Sequence, residues 1–480
     1  MKKPVGNPYL PNYEYIPDSE PYIFGDRLYV FGSHDQFGDD DFCTGDYQGW
    51  SAPLSDLSDW RHEGTIYRRD QDPVFARNPE CCRLFAPDVA LGADGKYYLY
   101  YGLSHSGEIH VAVCDTPAGH YQYLGPLVHP DGSVLGQQEG DPFQYDPGVL
   151  VDDDGRVYLY SGFCFDSDKI VKFKGLPENN RGSFVYELDQ DMRTVLSGPH
   201  YITPCWKDSQ GTGFENHAFF EASSIRKIGD TYYFIYSSEQ GHELCYATSK
   251  SPIAGFKFRG TIVSNGDLGY QGRQDRVNYT GTNHGSIVSL PDGWYVFYHR
   301  QSGGSPYARQ GCAEKIQILP NGSIPQVRIT STGLWGCPFP GKGTYGAYLL
   351  CGLKSAQGAC EYAPKSRVDD SHPWLTQDGP DREDTPNQYL HNLKDGAMAG
   401  FRSFCMDGIT AIRLTVRGTA QGDLEILAGE NGPILGSVSV SPSKEWVSVN
   451  TSLLPQTGEQ DLWLRYRGTG SVDLFSFTLE

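Results

Sequence analysis

The sequence predicts an all-β protein, a five-bladed β-propeller over residues 1–335 followed by a linker and β-sandwich over residues 336–480. Three observations carry that prediction. One aromatic strand phrase returns five times, aromatic residues make up 13% of the chain while Met contributes only 4, and 57 Gly and 31 Pro supply turns throughout. Such a mixture suits many short strands joined by tight turns, and suits helical bundles or disorder poorly. Length alone gives a prior of about three domains at ~150 residues each. The repeat reduces that to two.

The recurring phrase reads GDRLYVFGS from Gly25, DGKYYLYYG from Asp94, DGRVYLYSG from Asp154, GDTYYFIYSS from Gly229 and DGWYVFYHR from Asp292. Gly-Asp or Asp-Gly between two strand-like runs is a hairpin signature. Anchors at Tyr29, Tyr98, Tyr158, Tyr233 and Tyr295 are 69, 60, 75 and 62 residues apart. Each step holds about four short strands, the content of one propeller blade. The competing reading, a sandwich with chance aromatic strands, does not account for five regular returns. Past residue 335 the phrase dissolves into Gly, Pro and polar stretches such as CPFPGKGTYG and DGPDREDTPNQ. Strand-like runs then resume, from ITAIRLTVRG to VDLFSFTLE, with the alternation of a sandwich.

Charge and cysteine usage bound the partners. The net charge of −20 repels nucleic acid and anionic membrane surfaces, so a neutral partner is expected. No uninterrupted run of about 18 apolar residues is present, which argues against a membrane-spanning helix. The basic start is not followed by an apolar run of signal-peptide length. The twelve cysteines are scattered, Cys81 and Cys82 are adjacent, and none forms a C-x-x-C pair. Reduced thiols in a cytoplasmic protein are therefore expected.

Ten to twelve residues before each anchor tyrosine stands one ionisable residue: Asp18, Asp88, Asp146, Glu221 and His284. The first strand of a blade lines the central channel, so these five heads are expected to converge near the axis. Asp-Pro and Pro-Asp also mark ordinary turn entries, which is the plainer account of any one of them. Together they put four carboxylates and a histidine at one channel mouth, crowding that calls for a function. Carboxyl groups facing each other across a wet pocket are the equipment for glycosidic hydrolysis, one protonated to serve the leaving oxygen and one ionised to activate water. A histidine there either acts electrostatically or holds an ion that organises channel water.

At these residues the chain resembles glycoside hydrolase family 43, five-bladed propellers that invert the anomeric centre. The resemblance covers about residues 5–335. It implies that Asp18, in PDSEPYIFGDRLYVFGSHD, is the general base, although the family's usual Asp-Pro is replaced by Pro17-Asp18-Ser19 and Glu20 stands close by as an alternative. It implies that Asp146, in YDPGVLVDDDGRVYLYSG, raises the pKa of the acid and orients it, and that Glu221, in FFEASSIRKIGDTYYFIYSS, is the general acid. His284 in GTNHGSIV resembles the histidine that faces a structural calcium ion on the axis, and Arg300 in FYHRQ the arginine that grips the sugar. Asp88 has no role in this carry-over and is read as a channel wall, a sugar-hydroxyl contact or a structural turn. No organic cofactor is implied.

The tail resembles carbohydrate-binding module family 6 in TAIRLTVRGTAQGDLEIL, the Trp446 segment and the closing GSVDLFSFTLE. The sugar-contacting Asn common near that family's end is replaced by Gly470-Ser471-Val472-Asp473, so sugar binding and a packing role both stay open. Trp446 and Trp463 are either stacking platforms or core residues. Gly341–Gly346 follows Pro rather than a strand and is a loop, not a nucleotide site; His242-Glu243 lacks the second histidine of a zinc-protease motif.

The expected function is an inverting exo-glycosidase removing pentose units from neutral hemicellulose oligosaccharides, as a β-xylosidase or α-L-arabinofuranosidase. Two rivals remain at this stage. A retaining fructosidase-like propeller normally carries Asn-Asp-Pro in its first blade, which is absent here. A non-catalytic sugar-binding or scaffold propeller would tolerate replacement of all three carboxylates.

Overall fold

The computed structural model describes residues 5–78, 83–165, 181–362, 368–379 and 387–480. Cys81, Cys82 and the DREDTP stretch lie outside them. Five antiparallel sheets over 20–67, 88–126, 148–204, 219–264 and 287–316 form the propeller. The first four have four strands in chain order and the fifth has three. The recurring phrase is the second strand of each blade: Arg27–Phe31, Tyr97–Gly102, Val157–Ser161, Thr231–Ser238 and Gly293–Arg300. Its turns behave as the composition requires. Gly25 and Gly229 open two-residue hairpins with φ of 64° and 60°, the left-handed region that favours glycine.

The ring closes through the N-terminal segment. The Asn7 amide oxygen accepts from Ala313 N–H (2.9 Å), and Tyr9 N–H donates to the Gly311 carbonyl (3.2 Å), so residues 7–9 run along the outermost strand of the last blade. Helix is confined to Pro73–Arg77 and short 3-10 turns among the described residues.

Two further sheets, spanning 343–479, form the sandwich. One is built on Trp374–Thr376, Tyr389–Leu393, Val472–Leu479, Ala411–Gly418 and Ser443–Ser452, with Gly343–Gly346 also pairing on Val472–Leu479. The other has Gly352–Lys354, Met398–Cys405, Glu459–Thr469, Gln421–Ala428 and Ile434–Val440. Leu414, Val416, Leu474 and Phe477 of the first meet Phe401, Leu424, Ile426 and Leu464 of the second in one core, the inward half of each strand's alternation.

The two domains are packed together. Trp463 is 1% exposed and joins Ile287, Val296 and Cys312 of the propeller in a shared apolar cluster. Arg328 Nη1 pairs with Asp461 (2.7 Å), and Arg402 pairs with the buried Asp267. Trp463 is thus a core residue, not a platform. Trp446 is half-buried beneath the Arg417 guanidinium, 4.4 Å from its ring centroid. The ten described cysteines are free thiols.

Candidate active site

Asp18 sits just ahead of the innermost strand Glu20–Phe24, Asp146 just ahead of Gly148–Val151, and Glu221 near the start of Phe219–Ile228. These inner strands come from blades one, three and four. With His284 of blade five they line one pocket of about 670 Å³, walled by Phe42, Phe85, Tyr145, Phe163 and Phe220. Tyr145 and Phe163 stack on each other in this wall, at 4.4 Å between centroids.

The backbone is strained at these residues. Asp18 has φ of 56°, Asp146 of 43°, and Ala222, next to Glu221, of 68°. Each such non-glycine residue costs on the order of 1–3 kcal/mol and persists only where its surroundings fix it. Here the fixing contacts are polar. Asp18 Oδ2 accepts from Ser33 Oγ (2.5 Å), and Asp146 Oδ2 accepts from the Ala222 N–H (3.1 Å), tying Asp146 to the peptide beside Glu221.

The pKa values of the two aspartates are pushed in opposite directions. Burial pushes the Asp18 carboxyl up, but the Arg309 guanidinium (Nη1–Oδ1, 2.8 Å), His299 (Nδ1–Oδ1, 3.2 Å) and His284 outweigh it, and Asp18 lies well below the usual carboxylate range. Asp146 is pushed well above that range, by burial first and then by the charges of Glu221 and Asp18. His284 Nδ1 stands between them, 3.9 Å from Asp18 Oδ1 and 3.6 Å from Asp146 Oδ2. Burial lowers its pKa to about 4, so the imidazole is neutral near neutral pH. Arg309 also forks onto the buried Asp35 (2.8 and 3.0 Å), so its charge is already shared by two carboxylates.

Two expected residues lie elsewhere. Arg300 does not enter this pocket. Its Nη1 donates to the Leu350 carbonyl and its Nη2 to Gln310 Oε1 (both 2.8 Å), deep against the sandwich. Alternation explains this: neighbours on a strand face opposite ways, so His299 meets Asp18 while Arg300 faces outward. Asp88 lines the channel away from the pocket, where it accepts from Tyr22 Oη (2.7 Å) and Val149 N–H (2.6 Å). Glu20 pairs with Arg226 (2.7 Å) in that same buried network, which removes it as an alternative base.

Sequence reading missed Arg309, His299 and Ser33. Ser33 and His299 lie inside or next to the recurring phrase and were legible by alternation, whereas Arg309 lies on a loop without local signature. For a calcium ion, the donor set on His284's side is one neutral imidazole. The adjacent Asp18 and Asp146 oxygens are committed to Arg309, His299 and Ala222. The site fits an ion held by that single protein ligand and water, not an all-protein oxygen cage.

Comparison with known proteins adds to this geometry. The sequence model of Glycosyl hydrolases family 43 matches residues 11–324. The Xylosidase/arabinosidase of Thermoclostridium stercorarium is 48% identical over 484 residues, covering 100% of this chain and 99% of that protein. A solved family 43 β-xylosidase/α-arabinofuranosidase from a compost microbial metagenome, in a calcium-free complex with xylotriose, is 26% identical with a TM-score of 0.53. It covers 68% of this chain and 99% of its own. An arabinoxylan arabinofuranohydrolase from Bacillus subtilis, solved with cellotetraose, aligns over 98% of this chain and 97% of its own, at a TM-score of 0.50 and 20% identity. That last likeness concerns the fold, and it extends through the second domain.

Proposed function

The chain belongs to glycosyl hydrolases family 43, and from that premise we propose that this glycoside hydrolase removes single pentose units from neutral hemicellulose chains, with inversion, as a β-xylosidase or α-L-arabinofuranosidase. The observation that carries the reading is the pair of opposite shifts across His284, Asp18 pushed down by its cationic partner and Asp146 pushed up by burial and by Glu221, in an aromatic-walled pocket that also holds Glu221. Neutral substrate follows from the cations: Arg309 is already engaged by Asp18 and Asp35, and no other Lys or Arg among the described residues lines the pocket.

In this reading the sugar ring lies against Tyr145 and Phe163. Asp18, ionised, takes a proton from a water that attacks the anomeric carbon, while Glu221 gives its proton to the departing oxygen as the glycosidic bond breaks. The proton balance closes within the pair, Asp18 gaining one and Glu221 losing one. The Arg309 cation that keeps Asp18 ionised also makes it a weak base. Water is therefore deprotonated late, after positive charge has built at the anomeric carbon. Asp146 supports Glu221 by position, through the Ala222 N–H beside it, and the repulsion between the two carboxyls favours keeping one proton on the pair. An ion on His284 would add positive charge and order water beside Asp18. The second domain's likeness to carbohydrate-binding module family 6 belongs to this proposal as well, as a sugar-binding accessory.

Glu221→Gln tests the assignment. General acid catalysis is worth ~10²–10⁴-fold, and only poor leaving groups need it. Hydrolysis of a pentose disaccharide is expected to fall within that range, while a dinitrophenyl pentoside loses no more than about tenfold. Equal losses on both would move the acid to another residue.

A further inference from the structure

Outside the catalytic pocket, His217, Glu243 and Cys245 meet in blade four, where one imidazole nitrogen, one carboxylate oxygen and one sulfur all lie within 4.8 Å of one another. One strand and one turn make the group. Glu243 and Cys245 are two apart on the strand Glu243–Ser249, so alternation puts both side chains on one face. His217 comes from the turn ahead of Phe219–Ile228, where its N–H donates to the Phe214 carbonyl (2.9 Å) and its carbonyl accepts from Tyr236 Oη (2.7 Å). Cys245 is 0% exposed and Glu243 4%, whereas the His217 side chain is 35% exposed and forms the way in from solvent.

The distances suit a small divalent ion. His217 Nδ1 stands 2.7 Å from Glu243 Oε1 and 3.8 Å from Cys245 Sγ. Around a tetrahedral zinc with bonds of ~2.0–2.3 Å such pairs are ~3.3–3.6 Å apart, so both gaps are within about 0.7 Å of the bound geometry. The imidazole stacks face-on against Phe258, at 4.8 Å and 14°, which fixes its plane and leaves Nδ1 directed at the carboxylate and the sulfur. The carboxylate is braced from behind. Ser238 Oγ donates to Oε1 (2.6 Å) and Thr261 Oγ1 to Oε2 (2.7 Å), the kind of outer hydrogen bonds that orient a metal-binding carboxylate. An ion pair between histidine and glutamate needs no thiol. A buried sulfur beside both is what the ligand preference of zinc asks for.

We propose that His217, Glu243 and Cys245 bind one zinc ion, or another divalent ion that takes nitrogen and sulfur ligands, with water in the fourth position. On binding, the thiol and the Nδ1 N–H release their protons to solvent, and the thiolate and carboxylate balance the double charge of the ion. This site is separate from His284 and differs from it in chemistry, because calcium takes oxygen ligands and not a thiolate. The ion ties the turn that leads into Glu221, four residues on, to the third strand of the same blade.

The test titrates the full chain, stripped of metal by a chelator, with cobalt(II), whose bond to a thiolate absorbs in the near ultraviolet. One ion per chain is expected, with a thiolate-to-cobalt band that zinc removes by displacement and calcium leaves unchanged. Cys245→Ser is expected to lose the band. His217→Gln, which keeps a donor toward Glu243 at a half-buried position, is expected to hold its metal-free Tm and to bind cobalt at least about tenfold more weakly. No thiolate band in the wild type would overturn the site. A band that survives either substitution with an unchanged midpoint would overturn it too, by placing the ion on other cysteines. Should Cys245→Ser fail to fold, the His217→Gln titration decides by itself.

Discussion

Replacing Arg309 with methionine is the sharpest perturbation of the site. The guanidinium contacts Asp18 at 2.8 Å and forks onto Asp35, and all three groups are buried. Removing one partner of a buried ion pair costs about 3–5 kcal/mol, because the other charge is left unpaired. At 1.36 kcal/mol per pKa unit, about 3 kcal/mol falling on Asp18 lifts its carboxyl by about two units. Burial, no longer outweighed, carries it further in the same direction. The sign for stability follows. A depressed carboxyl pKa stabilises the fold above its unfolded value near 3.8 and loses that contribution only as pH falls through the folded value. Arg309→Met forfeits this across the neutral range, so urea unfolding at pH 7 is expected to show a loss of about 3–5 kcal/mol. The catalytic readout is kcat/KM on a nitrophenyl pentoside between pH 3.5 and 8. The acid limb, which in the wild type does not report Asp18, is expected to move up in the variant, because burial, no longer opposed by Arg309, carries the Asp18 carboxyl up into the measured range. A folded variant whose acid limb moves by less than about half a unit would refute the claim that Arg309 keeps the base ionised.

Two other predictions come from the same geometry. Asp146 is raised above the ordinary range, so its contribution to stability is present at low pH and lost as pH rises through the folded value; Asp146→Asn is expected to raise the Tm at pH 9 relative to wild type, by calorimetry, while hydrolysis falls, and identical Tm values at pH 9 would contradict it. Arg300→Lys loses the bonds to the Leu350 carbonyl and Gln310, and is expected to cost ~1–3 kcal/mol of stability while KM for a nitrophenyl pentoside changes less than about twofold; a large rise in KM would return Arg300 to the sugar.

Much of the architecture was legible because it is written in local periodicity. The Gly-Asp turns and aromatic alternation mark the second strand of every blade, and counting back from those strands finds Asp18, Asp146, Glu221 and His284, which do share one pocket. The same count also finds Asp88, whose position on a channel-lining strand is similar but whose side chain is absorbed by Tyr22 and the Val149 amide. Arg300 was misplaced because a sequence match does not say which of two adjacent strand residues faces inward. Arg309 was not legible, since its partner Asp18 lies 291 residues away and only ring closure brings them together. Nor were the left-handed conformations of Asp18 and Asp146, where no glycine advertises the turn. Trp463 reads alike as platform or core until the domain interface buries it.

The most direct test of the account is the anomeric configuration of the first sugar released, followed by proton NMR before mutarotation. With Asp18 activating water opposite a proton delivered by Glu221, the first-formed pentose is expected to carry the configuration opposite to that of the bond cleaved. A first product of retained configuration would mean that a carboxylate attacks the sugar directly, and would contradict the assignment of Asp18 as the base.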